Sequence, residues 1–251
     1  MIKLSVPMLT TFFLIAIRTS PLLLFSPIQA FTALPVMVRL LLLMILSLFI
    51  AHNSPLAEPL VEHTALIIAG IIEFCNGLLL TLCLHAALAV FQIAGQLIDE
   101  QMGLNALAIL NPADHSYDSI TGKLLLLLAT IIFFASNGHH HMLKTVMASF
   151  QAIPPGTLAM FNGFNAVIRQ FGLMFYLGFL LTVPLFASLA VIELAGSILA
   201  RSAPQLSAWF LTLPVKILFG FVALSIVLSS FKPFAAKVFS FCYQSWQRIL
   251  S

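Results

Sequence analysis

Apolar stretches near residues 4–34, 36–51, 64–98, 124–150, 166–200 and 209–231 take up most of this chain and constrain its fold more than any other feature. A helix needs about 20 predominantly apolar residues to cross the hydrocarbon core of a bilayer, and several of these stretches reach that length. A soluble domain devotes about a quarter of its residues to charge. Here the share is 8%, against 61% hydrophobic, and the mean hydropathy is +1.09. With 11 basic and 8 acidic side chains on 251 residues, much of the surface must meet lipid or partner protein instead of water. The expectation is an all-α integral membrane protein with about six hydrophobic segments.

These segments are not uniform rods. Pro7, Pro21, Pro27 and Pro35 interrupt the first two, and Pro184, Pro204 and Pro214 fall among the later ones. Each removes a backbone donor and crowds the preceding turn. Broken helices at membrane depth persist only where protein neighbours or a watery cavity satisfy the freed carbonyls. Bent, proline-interrupted helical hairpins packed among other helices are therefore expected. Arg18, Arg39, Glu73, Arg169 and Glu193 lie inside or beside apolar runs, where an unpaired charge costs about 2.5–3.5 kcal/mol. Interior pairing, within the chain or with a partner, is expected for Glu73 and for Arg201. Gly70 and Gly77 flank Glu73 two turns apart, and small residues at that spacing let backbones approach closely.

The amino end has only Lys3 before Arg18 interrupts the apolar run, and three prolines precede Ala30. The first segment thus reads as mature protein and not as a cleavable signal. Arg201, Lys216, Lys232, Lys237 and Arg248 crowd the carboxyl end, which favours a cytoplasmic carboxyl terminus. The tail after Phe231 reads as a basic, aromatic helix lying at an interface or against a partner. Cys75, Cys83 and Cys242 lack ligand spacing and read as small buried hydrophobes.

Chemistry-bearing constellations are sparse. His139, His140 and His141 are consecutive, and a helix turns about 100° per residue, so they fan out and cannot share one metal. They read as a helix-end cluster after a turn at Asn137-Gly138, and no metal site is expected. Ser197 follows Gly196 without a nucleophile-elbow pattern, and no phosphate loop is present. No catalytic residues and no cofactor are expected, and no basic run points to nucleic acid. The segment Ala94 to Leu104 is more distinctive. Gln92, Gln96 and Glu100 align at i,i+4, with Asp99 and Gly103 on an adjoining strip. That strip faces either partner polar groups and an aqueous lumen, or water where the helix emerges. The connector Asn105 to Lys123 follows, with a turn signal at Asn111-Pro112-Ala113-Asp114. A connector this long in a compact helical protein is usually a functional lid or disordered.

Taken together, Ala94-Gly-Gln-Leu-Ile-Asp-Glu-Gln-Met-Gly-Leu104, Asn111-Pro112, Asn137-Gly-His-His140, Ser149-Phe150, Pro154 and Gly156 resemble the FliR/SctT family of flagellar and type III secretion export-gate proteins. Ala200-Arg201 through Pro204 to Leu206, Pro214-Val-Lys216 and Gly220 continue the same order. Arg18 with Pro21, Pro35 with Arg39, and Glu73 with Gly77 extend it toward the amino end. Ser207 departs from the family, which usually has Asn there. The Gln-Met-Gly and Asn-Gly-His forms lean toward the flagellar branch.

The resemblance implies one export-gate domain over residues 1–251, with 1–160 resembling the companion FliP and 161–251 the companion FliQ. It implies a hetero-oligomeric helical assembly with FliP-like and FliQ-like membrane subunits, and with an FlhB-like gate protein. That assembly would sit in the bacterial inner membrane at the flagellar basal body and pass unfolded protein substrates, much of it lifted out of the bilayer plane. It further implies a channel plug over roughly residues 106–122, including Leu107, Leu110, Asn111, Pro112, Asp114, Tyr117 and Ser119. Gly103 and Gly122 would give its flanks backbone freedom. The preceding helix would contribute Gln96, Asp99, Gln101 and Gly103. Glu73, Gly77, Gly138, His139, Arg201 and Pro204 would serve assembly and packing. The rival class is a secondary transporter with broken helices around Glu73, Asp99 and Glu193, although the paired halves common in transporters are not evident.

Overall fold

Leu, Ala and Ile dominate the apolar runs, and with polar interruptions so few these runs become helix. A computed structural model of the chain describes residues 6–53, 63–104, 119–158, 160, 163–202 and 208–250. Its helices in chain order are α1 Val6–Leu24, α2 Gln29–Thr32, α3 Val36–Asn53, α4 His63–Met102, α5 Ile120–Ala135, α6 Gly138–Ala152, α7 Phe164–Ser202, α8 Ala208–Ser229 and α9 Phe231–Leu250. No strand occurs among the described residues. Leu66–Met102, Phe164–Ser202 and Thr212–Ser229 are long and apolar enough to cross a membrane, and the α5/α6 pair adds a fourth if counted as one broken span.

Proline does not set every bend. Pro21, Pro184 and Pro214 are taken up inside α1, α7 and α8, whereas Pro27 and Pro35 stand in the breaks on either side of α2. The 70° bend between α5 and α6 contains no proline. It turns on Asn137, whose φ of 57° is left-handed, a conformation that Asn tolerates better than most residues. Gly138 follows because a Cβ there would lie 2.4 Å from the Phe133 ring.

The chain forms two compact units that alternate along the sequence: Met1–Ala87, Phe133–Gly172 and Phe239–Ser251 in the first, Leu88–Ile132 and Leu173–Val238 in the second. In the first unit α1 packs on α3 through Ala16, Leu23 and Leu43, with Leu46 against them. The hydroxyls of Thr19 and Ser47 lie 3.3 Å apart within that contact. The end of α9 closes this unit: Phe239 meets Phe133 edge-on at 5.3 Å, and Trp246 Nε1 donates to the Leu80 carbonyl at 3.0 Å. Gly163 passes so near Ile249 that a Cβ would sit 2.8 Å from it.

In the second unit Phe91 meets Phe231 edge-on at 5.3 Å, and Gly220 of α8 lies against the Met102 side chain of α4. Gly196 of α7 admits Thr212, whose methyl would be 2.2 Å from an added Cβ. One turn away, Lys216 donates to Glu193 at 2.8 Å, an ion pair between the two helices.

The tail helix corrects an expectation. Phe231, Ala235, Val238, Phe239, Cys242, Trp246 and Ile249 recur at helical spacing and are all buried within this chain. The apolar face of α9 is therefore an internal packing surface, not an interfacial one, and Lys232, Lys237 and Arg248 occupy its exposed side. Truncating Trp246 to alanine removes both a large buried ring and a donor. Trp246→Ala should lose about 3–5 kcal/mol, and Trp246→Phe distinctly less, measured by thermal unfolding of the detergent-extracted protein.

Candidate functional site: two buried polar nodes

The first node lies where α1 crosses α4. Gly77 permits that crossing, since a Cβ on it would fall 2.0 Å from the Arg18 carbonyl oxygen. Gly70 makes only ordinary contact, 3.4 Å from Ile17. At the crossing, Arg18 Nε donates to Glu73 Oε2, with both side chains fully enclosed. Arg18 Nη1 also donates to the carbonyls of Ser149 and Ile153 at 2.8 and 2.9 Å. Those carbonyls end α6, where a cation complements the negative pole of the helix. The guanidinium sits 4.4 Å from the centre of the Phe150 ring, within cation–π range. Gly156, at φ +86°, donates its N–H to Glu73 Oε1 at 3.2 Å. One ion pair thus ties α1, α4, the end of α6 and the 153–156 turn.

The second node joins the end of α4 to the start of α5. Ser119 Oγ donates to Asp99 Oδ2 at 2.6 Å, the Thr121 N–H donates to the same oxygen at 3.1 Å, and the Gly122 N–H donates to Ser119 Oγ at 2.7 Å. Ser119 therefore caps α5 through its side chain, and Asp99 reaches across from α4 to reinforce that cap. A carboxylate at a helix N-terminus is favoured by the helix dipole. Asp99 is 2% exposed. Close approach is allowed by Gly95, where a Cβ would lie 2.2 Å from Gly122 Cα.

Gly122 is consequently a helical contact residue, not a flexible flank as expected from its position. Gly103 does adopt φ +78° and ends α4, with the Leu104 N–H donating to the Asp99 carbonyl at 3.0 Å. Gln92, Gln96 and Glu100 form an exposed strip, while Gln101 is half-buried. Of the expected plug residues, Leu107, Leu110, Asn111, Pro112, Asp114 and Tyr117 lie outside the described residues, as does Pro204. Ser119 is described, and its contact with Asp99 was not foreseen from either residue alone.

The histidine turn is a third feature. His139 is half-buried and its ring lies 4.3 Å from that of His140, tilted by 37°, so this pair stays together where divergence was expected. His141 stacks on Tyr243 at 4.6 Å. Burial pushes the Tyr243 phenol up to about 12, so it meets His141 as a neutral hydroxyl. Arg201 stands exposed on the last turn of α7, and Arg39 donates to the Leu34, Thr32 and Leu24 carbonyls. The three acids of the transporter reading are engaged separately: Glu73 with Arg18, Asp99 with Ser119 and Glu193 with Lys216. Sequence reasoning passed over Gln170, whose Nε2 donates to the Cys83 carbonyl at 2.8 Å. A glutamine within an apolar run was the available signal.

These features define a polytopic α-helical membrane protein whose interior charges are tied off within the fold, with no group of three metal-ligating side chains among the described residues. The family described as Bacterial export proteins, family 1, matches residues 9–241, and the chain belongs to it. It is 28% identical over 248 residues to the flagellar biosynthetic protein FliR of Bacillus subtilis (strain 168), covering 96% of this chain and 94% of that one. Its identity to FliR of Escherichia coli (strain K12) is 28% over 245 residues, covering 97% and 94%. The surface presentation of antigens protein SpaR of Shigella sonnei is 24% identical over 158 residues, covering 63% and 61%.

Removing one member of a buried pair strands the other. Glu73→Ala should therefore cost about 3–5 kcal/mol, and the double variant Arg18→Met/Glu73→Leu should recover part of that loss. Thermal unfolding of the extracted single and double variants measures both, and additive losses would remove the ion pair from the account.

Proposed function

We propose that this chain is a structural and gating subunit of a type III protein export channel, passing unfolded flagellar subunits across the bacterial inner membrane at the flagellar basal body. The observation that carries the gating role is the Asp99–Ser119 clasp. It holds residue 104 and residue 119 to one rigid base, so the intervening segment leaves and returns at the same place. A closed loop on a fixed base can cover an opening and move aside without disturbing the helices that hold it. On this reading the expected plug over residues 106–122 narrows to 106–118, since Ser119 to Gly122 cap and begin α5; it occludes the channel at rest, with Leu107, Leu110, Asn111, Pro112, Asp114 and Tyr117 as its contact residues.

The subunit role rests on apolar surface. Only 33% of the most hydropathic window of α7 and 11% of that of α8 is buried within the chain. Phe171, Phe175, Phe179, Leu180 and Val183 stay exposed on α7, as do Leu218, Phe219 and Val222 on α8. On this proposal part of that surface receives FliP-like and FliQ-like subunits and an FlhB-like gate protein, and the rest meets lipid. The division at residue 160 into FliP-like and FliQ-like parts belongs to the same proposal. Glu73, Gly77, Gly138 and His139 then act on assembly by shaping the first unit, and Arg201 and Pro204 by their place in the sequence at and after the end of α7.

Two measurements test this. Deleting residues 107–118 should raise ion leak through the assembled channel while the chain still copurifies with its companions. Asp99→Ala, which cuts the clasp but keeps the loop, should raise leak less. Unchanged leak in the deletion removes the plug. Recovery of a folded, monodisperse single chain with no companion proteins, by mass spectrometry of the purified material, removes the subunit role.

A further inference from the structure

Between α3 and α6, within the first unit, lies a cavity of about 210 Å³ that the proposed export role does not use. Its floor and walls are apolar: Leu46, Phe49 and Ile50 from α3, Leu143 and Met147 from α6. Two basic side chains complete the lining, His140 and Lys144, which are four residues apart and so share one face of α6. Both are exposed. The sequences of α3 and α6 contain no Asp or Glu, yet they carry Arg39, His52, His139, His140, His141 and Lys144. Any charge that answers Lys144 must therefore come from elsewhere than these two helices.

From this apolar slot with a cationic rim and no carboxylate, we infer that the cavity seats an anionic phospholipid, with a length of acyl chain against Ile50 and Met147 and the phosphate at Lys144 and His140. The cationic rim on an apolar slot favours a molecule with an apolar body and an anionic head. The setting favours lipid as well, because Leu41, Met44, Ile45 and Leu48 leave the outer side of α3 apolar and exposed. A long cationic side chain laid along such a surface keeps its stem in the apolar layer and its head at the polar boundary.

The test uses the full chain in its native membrane assembly, with the photoreactive residue benzoylphenylalanine replacing Met147. After irradiation, the mass of the adduct identifies the neighbour. A phospholipid adduct is expected; a crosslink to a protein, or no adduct, overturns the inference. The same assembly is then reconstituted into vesicles of dioleoylphosphatidylglycerol or dioleoylphosphatidylcholine. Adduct yield should be several-fold higher with the anionic lipid, and equal yields in both lipids overturn the inference. Adding Lys144→Gln should erase about fivefold of that preference, as expected for one cation near an anionic surface, while Lys232→Gln on the exposed side of α9 should leave it intact. A preference untouched by Lys144→Gln also overturns the inference.

Discussion

Burying a guanidinium is tolerable only when its charge and its donors are answered locally. Arg18 is held by Glu73, the Ser149 and Ile153 carbonyls at the end of α6 and the face of Phe150. The demand organises the first unit. Arg18 can reach Glu73 only if α1 and α4 nearly touch, which requires Gly77. It reaches the Ser149 and Ile153 carbonyls because the end of α6 lies beside α1. The Gly77 crossing and the Gly156 turn thus both serve one buried ion pair.

The second unit treats its acids differently. Buried Asp99 accepts hydrogen bonds from hydroxyl and amide donors, and exposed Glu193 pairs with Lys216 across a hairpin whose close approach depends on Gly196. Between them α7 and α8 keep long apolar faces exposed. Such faces suit both acyl chains and the apolar flanks of neighbouring helices, as a subunit of a membrane-embedded export assembly requires.

Much of this was legible beforehand. Run lengths, low charge and high hydropathy pointed to a helical membrane protein, and charges stranded in apolar runs pointed to internal pairing. The residues whose order resembles an export family include Arg18, Glu73, Gly77, Ser149, Phe150 and Gly156, which lie together around one ion pair. Less legible was the tail. The amphipathic pattern of α9 says that one face is buried but not against what, and the answer was its own chain. Prolines also misled in part: three sit within continuous helices, and a 70° bend falls at an asparagine.

By itself the sequence determined composition-level facts: which segments are helical, that they need an apolar environment, and which charges cannot be left alone there. Those facts follow from local periodicity and from transfer energies, which depend on each segment separately. Only the tertiary structure decided which partner each charge takes, that Asp99 closes on Ser119, and that Gly95 and Gly122 share a contact. These are meetings between residues distant in sequence. Their geometry depends on how whole helices cross, a quantity that no single segment carries.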